Sequence, residues 1–385
     1  MRLVVFGHND WWVWSRQGFC TRNAALVREL AARDAVDETL VVDSPRFRRR
    51  THRPPERRGE GVSLVAPGVK AIRYDYQVPL PATWRPGRRV NERLAAPGLA
   101  RRLRAAPSQN SATVLWVADP RLVEPALAVP HDVFVFDAID DWRQHPWAGY
   151  QTVSRGYELA AGRADIVFAV HPRLLEMLRP RGHAEVLFNA VDAEPWAAAG
   201  PASELAGMRR PLVGYVGMIQ QRVDGGLLAG AARLLPEATF VLAGQVSPSY
   251  RRALGDLPGN VLLIGPRPYA EIPAFVAACD VCIVPHLRDD LTGTMDPLKL
   301  YEYLAAGKPV VSTVPSPNPA LSGVVRIATE VGAFAEAITA EVQCDDHERR
   351  RVRRAAVSAQ TWPARADRAL AVVEEALERS KGDVP

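Results

Sequence analysis

Short β-branched runs alternate with amphipathic stretches along almost the whole chain, and nothing else in the sequence limits the fold so tightly. Leu3–Phe6, Leu40–Val42, Val114–Val117, Val133–Phe136 and Ile166–Val170 read as strands, and Arg22–Ala32 repeats apolar residues at helical spacing. The series then starts again. Pro211–Gly217, Thr239–Gly244, Asn260–Ile264, Val281–Pro285 and Pro309–Thr313 read as strands, with helices at Leu227–Leu235, Ile272–Ala278 and Pro297–Ala306. Alternation of this kind builds parallel sheets covered by helices. The fold class is therefore α/β, with two Rossmann-like, doubly wound halves.

The expected domains are residues 1–190 and 191–360, joined at the polar turn Asn189–Pro195. A helical segment, 361–385, follows Trp362-Pro363 and is expected to pack back towards the first half. Ligands of such sheets bind outside the carboxyl ends of the strands. Two facing halves put the expected site in the cleft between them.

The net charge of +5 is modest for 385 residues, but the excess is local, in 46–58 and in the Arg-rich span 85–104. Such blocks suit an anionic partner. An acidic membrane surface or an anionic acceptor fits, and so does a solvated loop, given Pro54 and Pro55. Nucleic acid is excluded, because the first block lacks interleaved aromatics and no binding motif accompanies it. No run approaches the ~20 apolar residues of a membrane span, and Met1–Gly7 is strand-like with no leader read in it. The expected location is the cytoplasm, with peripheral contact at the inner membrane face. Cys279 and Cys282 have CxxC spacing without the second ligand pair that zinc needs. They read as packed thiols in a reducing compartment.

The segment that carries most chemistry is Asp296-Pro-Leu-Lys299-Leu-Tyr-Glu302-Tyr-Leu-Ala-Ala-Gly307-Lys-Pro-Val-Val311. It reads as a loop entering a helix at Pro297, where a missing N–H costs nothing. A helix start with a lysine in its first turn is an anion site, suited to a diphosphate. Lys299 and Glu302 are three apart and share a face. Glu302 can accept two hydroxyl hydrogen bonds, as from a ribose diol.

This segment resembles the donor-binding signature of GT-B glycosyltransferases of the family 4 type, in particular the branch related to teichuronic-acid glycosyltransferases. Gly214-Tyr-Val-Gly217 with Arg222-Val-Asp224, Asn189-Ala-Val-Asp192, Asn260–Tyr269, Asp137-Ala-Ile-Asp140-Asp141-Trp142 and Trp362 extend the resemblance over nearly the whole chain. It implies that Glu302 binds the donor ribose and that Lys299 and Arg222 hold the diphosphate, helped by the amides of Leu298 and Lys299. Gly217 would let the phosphates approach the backbone, and Arg267 and Pro268 would lie near the base. It also implies a nucleotide sugar as co-substrate, with no cofactor and no metal at the donor site. One departure stands out. The family carries a glutamate eight residues before the ribose-binding one, and here that position is Thr294. Asp296 is expected to substitute for it, or Thr294 to offer its hydroxyl.

The first strand ends in Gly7-His8-Asn9-Asp10-Trp11-Trp12-Val-Trp14-Ser15-Arg16. A loop there suits an acceptor, with Asn9, Trp11, Trp12 and Arg16 as contacts; the tryptophans also read as packing beneath it. His8, Asp140 and Asp141 are candidate catalytic groups, one carboxylate orienting the acceptor hydroxyl or acting as base; loop or helix-cap carboxylates are the plainer reading. Lys299 and Arg222 complete the catalytic set. Asp119 is a weaker candidate. The expected activity is retaining, metal-independent transfer of a sugar to a carbohydrate, lipid-linked or natural-product acceptor hydroxyl. The alternatives are a non-catalytic nucleotide-sugar-binding partner of another transferase and an epimerase-like enzyme of the same architecture. The Arg, Ala and Pro-rich composition suggests a bacterial source.

Overall fold

The computed structural model describes residues 1–43, 46–47, 62–76, 85–104, 111–145, 149–252 and 254–382. The chain divides into two compact units, Met1–Leu187 with Arg365–Pro385, and Phe188–Ala364.

In the first unit the order is β1 (Arg2–Phe6), α1 (Trp11–Arg16), α2 (Arg22–Ala31), β2 (Glu38–Val42), β3 (Arg46–Phe47), β4 (Val62–Ala66), β5 (Val69–Ile72), β6 (Asp75–Tyr76), α3 (Arg85–Arg104), β7 (Thr113–Val117), α4 (Val123–Ala126), β8 (Val133–Ala138), α5 (Tyr150–Arg163), β9 (Ile166–Ala169), α6 (Pro172–Leu178) and β10 (His183–Val186). Eight strands form one sheet in the order β10-β9-β8-β7-β1-β2-β5-β4, and β3 pairs with β6 apart from it. The sheet is parallel except where β4 turns back on β5. Strands β1, β2, β7, β8 and β9 are buried almost end to end, as expected when helices cover both faces.

The second unit runs α7 (Ala193–Ala198), β11 (Leu212–Val216), α8 (Gly225–Leu234), β12 (Thr239–Ala243), β13 (Val261–Gly265), α9 (Ile272–Ala278), β14 (Val281–Val284), α10 (Leu298–Ala305), β15 (Val310–Ser312), β16 (Arg326–Ile327), α11 (Val331–Gln343) and α12 (His347–Val357); a last helix, α13 (Trp362–Gly382), starts in this unit and continues into the first. Its six strands are all parallel, ordered β13-β12-β11-β14-β15-β16. Side-chain alternation feeds two cores. Val213, Tyr215, Phe240, Leu242 and Ile283 pack towards α8 and α11. Leu212, Val241, Ala243, Cys282 and Val284 pack towards α9 and α10.

Among the parallel strands of each sheet the order reverses between β1 and β7 and between β11 and β14. The carboxyl ends of those four strands are the places where open sheets of this type take ligands.

Two expectations are corrected here. The Arg-rich span 85–104 is a helix and not a solvated loop: Ala95, Leu99 and Leu103, each four apart, bury one face in the first core. The tryptophan segment after β1 is also a helix, with Asp10 as its N-cap accepting from Val13 N at 3.0 Å. Trp11 and Trp14 turn inward. A Cβ on Gly7 would lie 2.5 Å from Trp14 Cζ2, so glycine there makes room for that ring. Cys279 and Cys282 are buried free thiols in the second core. The basic block 46–58 falls, beyond residues 46–47, outside the described residues. Among the described residues no helix is long and apolar enough to cross a membrane.

Candidate active site

Helix α10 positions the richest cluster. Pro297, expected as the first helical residue, is its N-cap, so the helix starts one residue later at Leu298, and Leu300 N donates to Pro297 O at 3.1 Å. The amides of Leu298 and Lys299 precede the first intrahelical bond and remain available to an anion. Leu300, Tyr301, Tyr303 and Leu304 anchor the helix in the core, which leaves Lys299 and Glu302 on the half-buried face.

Lys299 makes no ion pair among the described residues; its ammonium sits 5.1 Å from the centre of the Tyr215 ring. Gly217, just past β11, has φ +129°, and a Cβ built there would stand 3.4 Å from Lys299 Nζ. Glycine both adopts that backbone and keeps the approach to the ammonium open. Arg222 lies on the same strand-end loop. It donates through Nη2 and Nε to the Gln220 amide oxygen, turned towards it, at 2.6 and 2.9 Å, and pairs with no carboxylate among the described residues. Glu302 accepts from Tyr269 Oη at 2.8 Å.

The electrostatics follow from crowding. Desolvation, then the charge of Arg222, pulls Lys299 down to about 7 against the opposing pull of Glu302. Desolvation pushes Glu302 up to about 7, although the Tyr269 hydrogen bond and Lys299 work the other way. Two cations thus share a small space without a full counter-charge, an arrangement a diphosphate would relieve.

His286, two residues beyond β14, joins this cluster and was not singled out from the sequence. It is 1 % exposed, and neither ring nitrogen has a hydrogen-bond partner. Burial, then the charges of Lys299 and Arg222, holds its pKa well below the usual histidine value. An unsatisfied buried polar atom costs about 1–3 kcal/mol. A lone histidine after an apolar strand carries no sequence pattern that would flag it.

Three expected donor residues are engaged elsewhere. Asp296 is no sugar-facing acid. It is buried, and its carboxylate accepts from Asn189 N at 2.8 Å, Tyr301 Oη at 2.7 Å and Ser316 Oγ at 3.0 Å. Asn318 extends this network by donating to Tyr301 Oη and Gln360 Oε1. Thr294 is buried in a 3-10 turn and donates its hydroxyl to Leu291 O at 2.9 Å. Arg267 is held by Glu204 at 2.7 Å, with Glu271 at 3.8 Å.

In the first unit the carboxyl ends of β1 and β7 bring His8 to Asp119, Nδ1 to Oδ2 3.8 Å. Arg121 clamps Asp119 through Nε at 2.9 Å and Nη2 at 2.5 Å, and its guanidinium lies 5.1 Å from the Trp142 ring centre. The His8 ring stands edge-on to Trp142 at 4.8 Å. Burial works to raise the Asp119 carboxyl, but His8 and Arg121 carry it below the usual range. His8 thus meets Asp119, the weaker candidate, with Arg121 Nη2 3.5 Å from the same ring nitrogen. Asp141 is a cap: it accepts from Arg143 N at 3.2 Å and pairs with the Arg143 guanidinium at 2.8 Å. Asp140 lies 3.9 Å from His145. Trp11 is buried against Phe19, whereas Asn9 and Trp12 are half-buried and Arg16 is exposed. Of the expected acceptor contacts, Trp11 is thus withdrawn.

Comparison with known proteins bears on the second unit most directly. Residues 210–343 match the family model described as glycosyl transferases group 1. Over 132 residues the chain is 34% identical to TuaH of Bacillus subtilis (strain 168), which is named as a teichuronic acid biosynthesis glycosyltransferase; the match spans 32% of this chain and 33% of that relative's length. The fold resembles sucrose-phosphate synthase from Thermosynechococcus elongatus, with TM-score 0.69 and 16% identity over 97% of this chain and 98% of the other. It also resembles a UDP-forming α,α-trehalose-phosphate synthase from Burkholderia xenovorans, with TM-score 0.69 and 14% identity over 97% and 100%. The chain has the GT-B fold, and its residues 210–343 are similar in sequence to the glycosyl transferases group 1 family.

Proposed function

We propose that the protein transfers a sugar from a nucleoside-diphosphate sugar to an acceptor hydroxyl, with retention at the anomeric carbon and without a metal at the donor site. The observation that carries this reading is the pair Lys299 and Arg222 beside Gly217, two cations with no carboxylate bound to either among the described residues. Glu302 offers its second oxygen to a ribose diol while Tyr269 holds the first. The positive charges stabilise the departing diphosphate as its bond to the anomeric carbon breaks. The acceptor oxygen bonds to that carbon from the same side, and its proton passes to the departing phosphate oxygen. In this reading the Asp119–His8 pair of the first unit orients the acceptor hydroxyl, and Asn9, Trp12 and Arg16 are contacts for the rest of the acceptor. Gly217, Leu298 and Lys299 contribute backbone to the phosphates.

Thermal unfolding with UDP, GDP, dTDP and ADP in turn tests the donor site. A ligand at 100 times its Kd adds about 2.7 kcal/mol, roughly 5–10 °C of midpoint for a chain of this size. One nucleotide should give that shift, and Glu302→Ala should abolish it. Unchanged binding by Glu302→Ala would remove the assignment. Activity should survive EDTA. Thr294, whose hydroxyl is tied to Leu291, favours one alternative, a nucleotide-sugar-binding protein without transfer. Release of nucleoside diphosphate from a nucleotide sugar, by hydrolysis or transfer, decides against that alternative, and its complete absence decides for it.

A further inference from the structure

The transfer reading leaves one polar group of the donor cluster without a task. His286 lies beyond β14, next to β11 at the reversal of strand order in the second sheet. Its backbone is fastened to the loop that carries Arg222. Leu287 N donates to Arg222 O at 2.8 Å, Asp224 N donates to Pro285 O at 2.8 Å, and His286 forms an antiparallel bridge with Val223. Thr313 Oγ1 donates to His286 O at 2.5 Å, which fixes the same stretch from β15's side. The ring is thus held beside the cationic pair by bonds that its own nitrogens do not make.

Those nitrogens are buried and unpartnered. Native structures rarely leave such atoms unpaired without a reason. The neighbours that act on the ring electrostatically are Lys299 and Arg222, both of which disfavour a third positive charge. A neutral imidazole keeps one N–H donor and one acceptor nitrogen. What the cluster lacks is an anionic acceptor, wanted at once by two cations and one N–H.

We propose that His286 is a third phosphate-binding residue of the donor site, donating a ring N–H to an oxygen of the diphosphate that Lys299 and Arg222 hold. This rests on the donor-site reading above. It assigns to an uncharged group a part of the phosphate recognition, so that the site gains a hydrogen bond without raising its charge.

The test uses the full chain with His286→Phe and His286→Gln, and whichever of UDP, GDP, dTDP and ADP stabilises the wild type, alone and as its nucleotide sugar. Affinities come from calorimetry and midpoints from thermal unfolding without ligand. Phenylalanine should bind the diphosphate and the nucleotide sugar about tenfold or more weakly, to the same extent. Its empty form should melt no lower than the wild type, since the unpaired nitrogens are gone. Glutamine, which keeps an N–H, should recover part of the affinity. Weakening confined to the nucleotide sugar would turn the ring towards the sugar and overturn the proposal. A lowered midpoint for phenylalanine, with no recovery by glutamine, would make His286 a packing group and overturn it too. A wild-type chain that binds none of the four diphosphates would remove the donor-site reading itself, and this inference with it.

Discussion

Asp296 sits two residues before α10, yet its carboxylate is committed to holding the second unit together. Asn189, Tyr301 and Ser316 each donate to it out of solvent. Hydrogen bonds to a charged group contribute about 1.5–3 kcal/mol, and removing one partner strands the others. Asp296→Ala should therefore lower stability by about 3–5 kcal/mol in urea unfolding, with Asp296→Asn milder because one acceptor oxygen remains. A loss under 1 kcal/mol would show that the network is slack. From sequence, Asp296 looked like a stand-in for the acid missing at Thr294, because spacing along a chain says nothing about which way a carboxylate turns. Lys299 and Glu302 were legible for the opposite reason: three apart on a helix, they share a face whatever else surrounds them. His286 was not legible, since its interest lies in what it fails to bond.

The strands were the easiest elements to read, because a parallel sheet buried on both faces writes each strand as a short apolar run. Two helices were harder. Trp11 and Trp14 lie one turn apart and Asp10 caps them, but three tryptophans in six residues look like a binding loop. In α3 the arginines mask Ala95, Leu99 and Leu103, whose four-residue spacing is the real signal. The reading also missed what joins elements. Arg22 at the start of α2 reaches Asp137 at the end of β8 with bonds of 2.8 to 3.2 Å, both side chains being buried. Removing one member of such a pair costs about 3–5 kcal/mol, while replacing both with apolar groups often costs little. Arg22→Met should thus destabilise by about that amount in denaturant unfolding, and Arg22→Met with Asp137→Leu should recover most of it. Equal loss in the single and double variants would mean that the pair is valued for its shape and not its charge.

For the whole molecule, Lys299 and Glu302 impose a pH dependence of unusual shape. Glu302 rises from 4.5 to about 7 on folding, so the folded state holds the extra proton and stability falls as pH climbs through that window. Lys299 drops from 10.5 to about 7, so the unfolded state holds the extra proton and stability rises again above 7. The pair makes the empty protein least stable near pH 7. Unfolding midpoints of the wild type minus those of a Lys299→Met, Glu302→Gln variant, measured from pH 5 to 9, should trace a trough centred there. A difference flat with pH would refute it. Nucleoside diphosphate should fill the trough, because an anion returns Lys299 to its charged form.

The last helix gives the molecule an order in time. From Arg365 onward its residues belong to the first unit, where Ala366, Ala369, Val372 and Val373 are buried and Arg368 pairs with Glu185 at 2.6 Å. The second unit is one continuous stretch, Phe188–Ala364, whereas the first is completed by residues translated after it. Domains usually fold in the order of synthesis. Here the half that begins the chain must wait on the ribosome for its closing helix, so the second unit reaches its finished state first and the first unit finishes last.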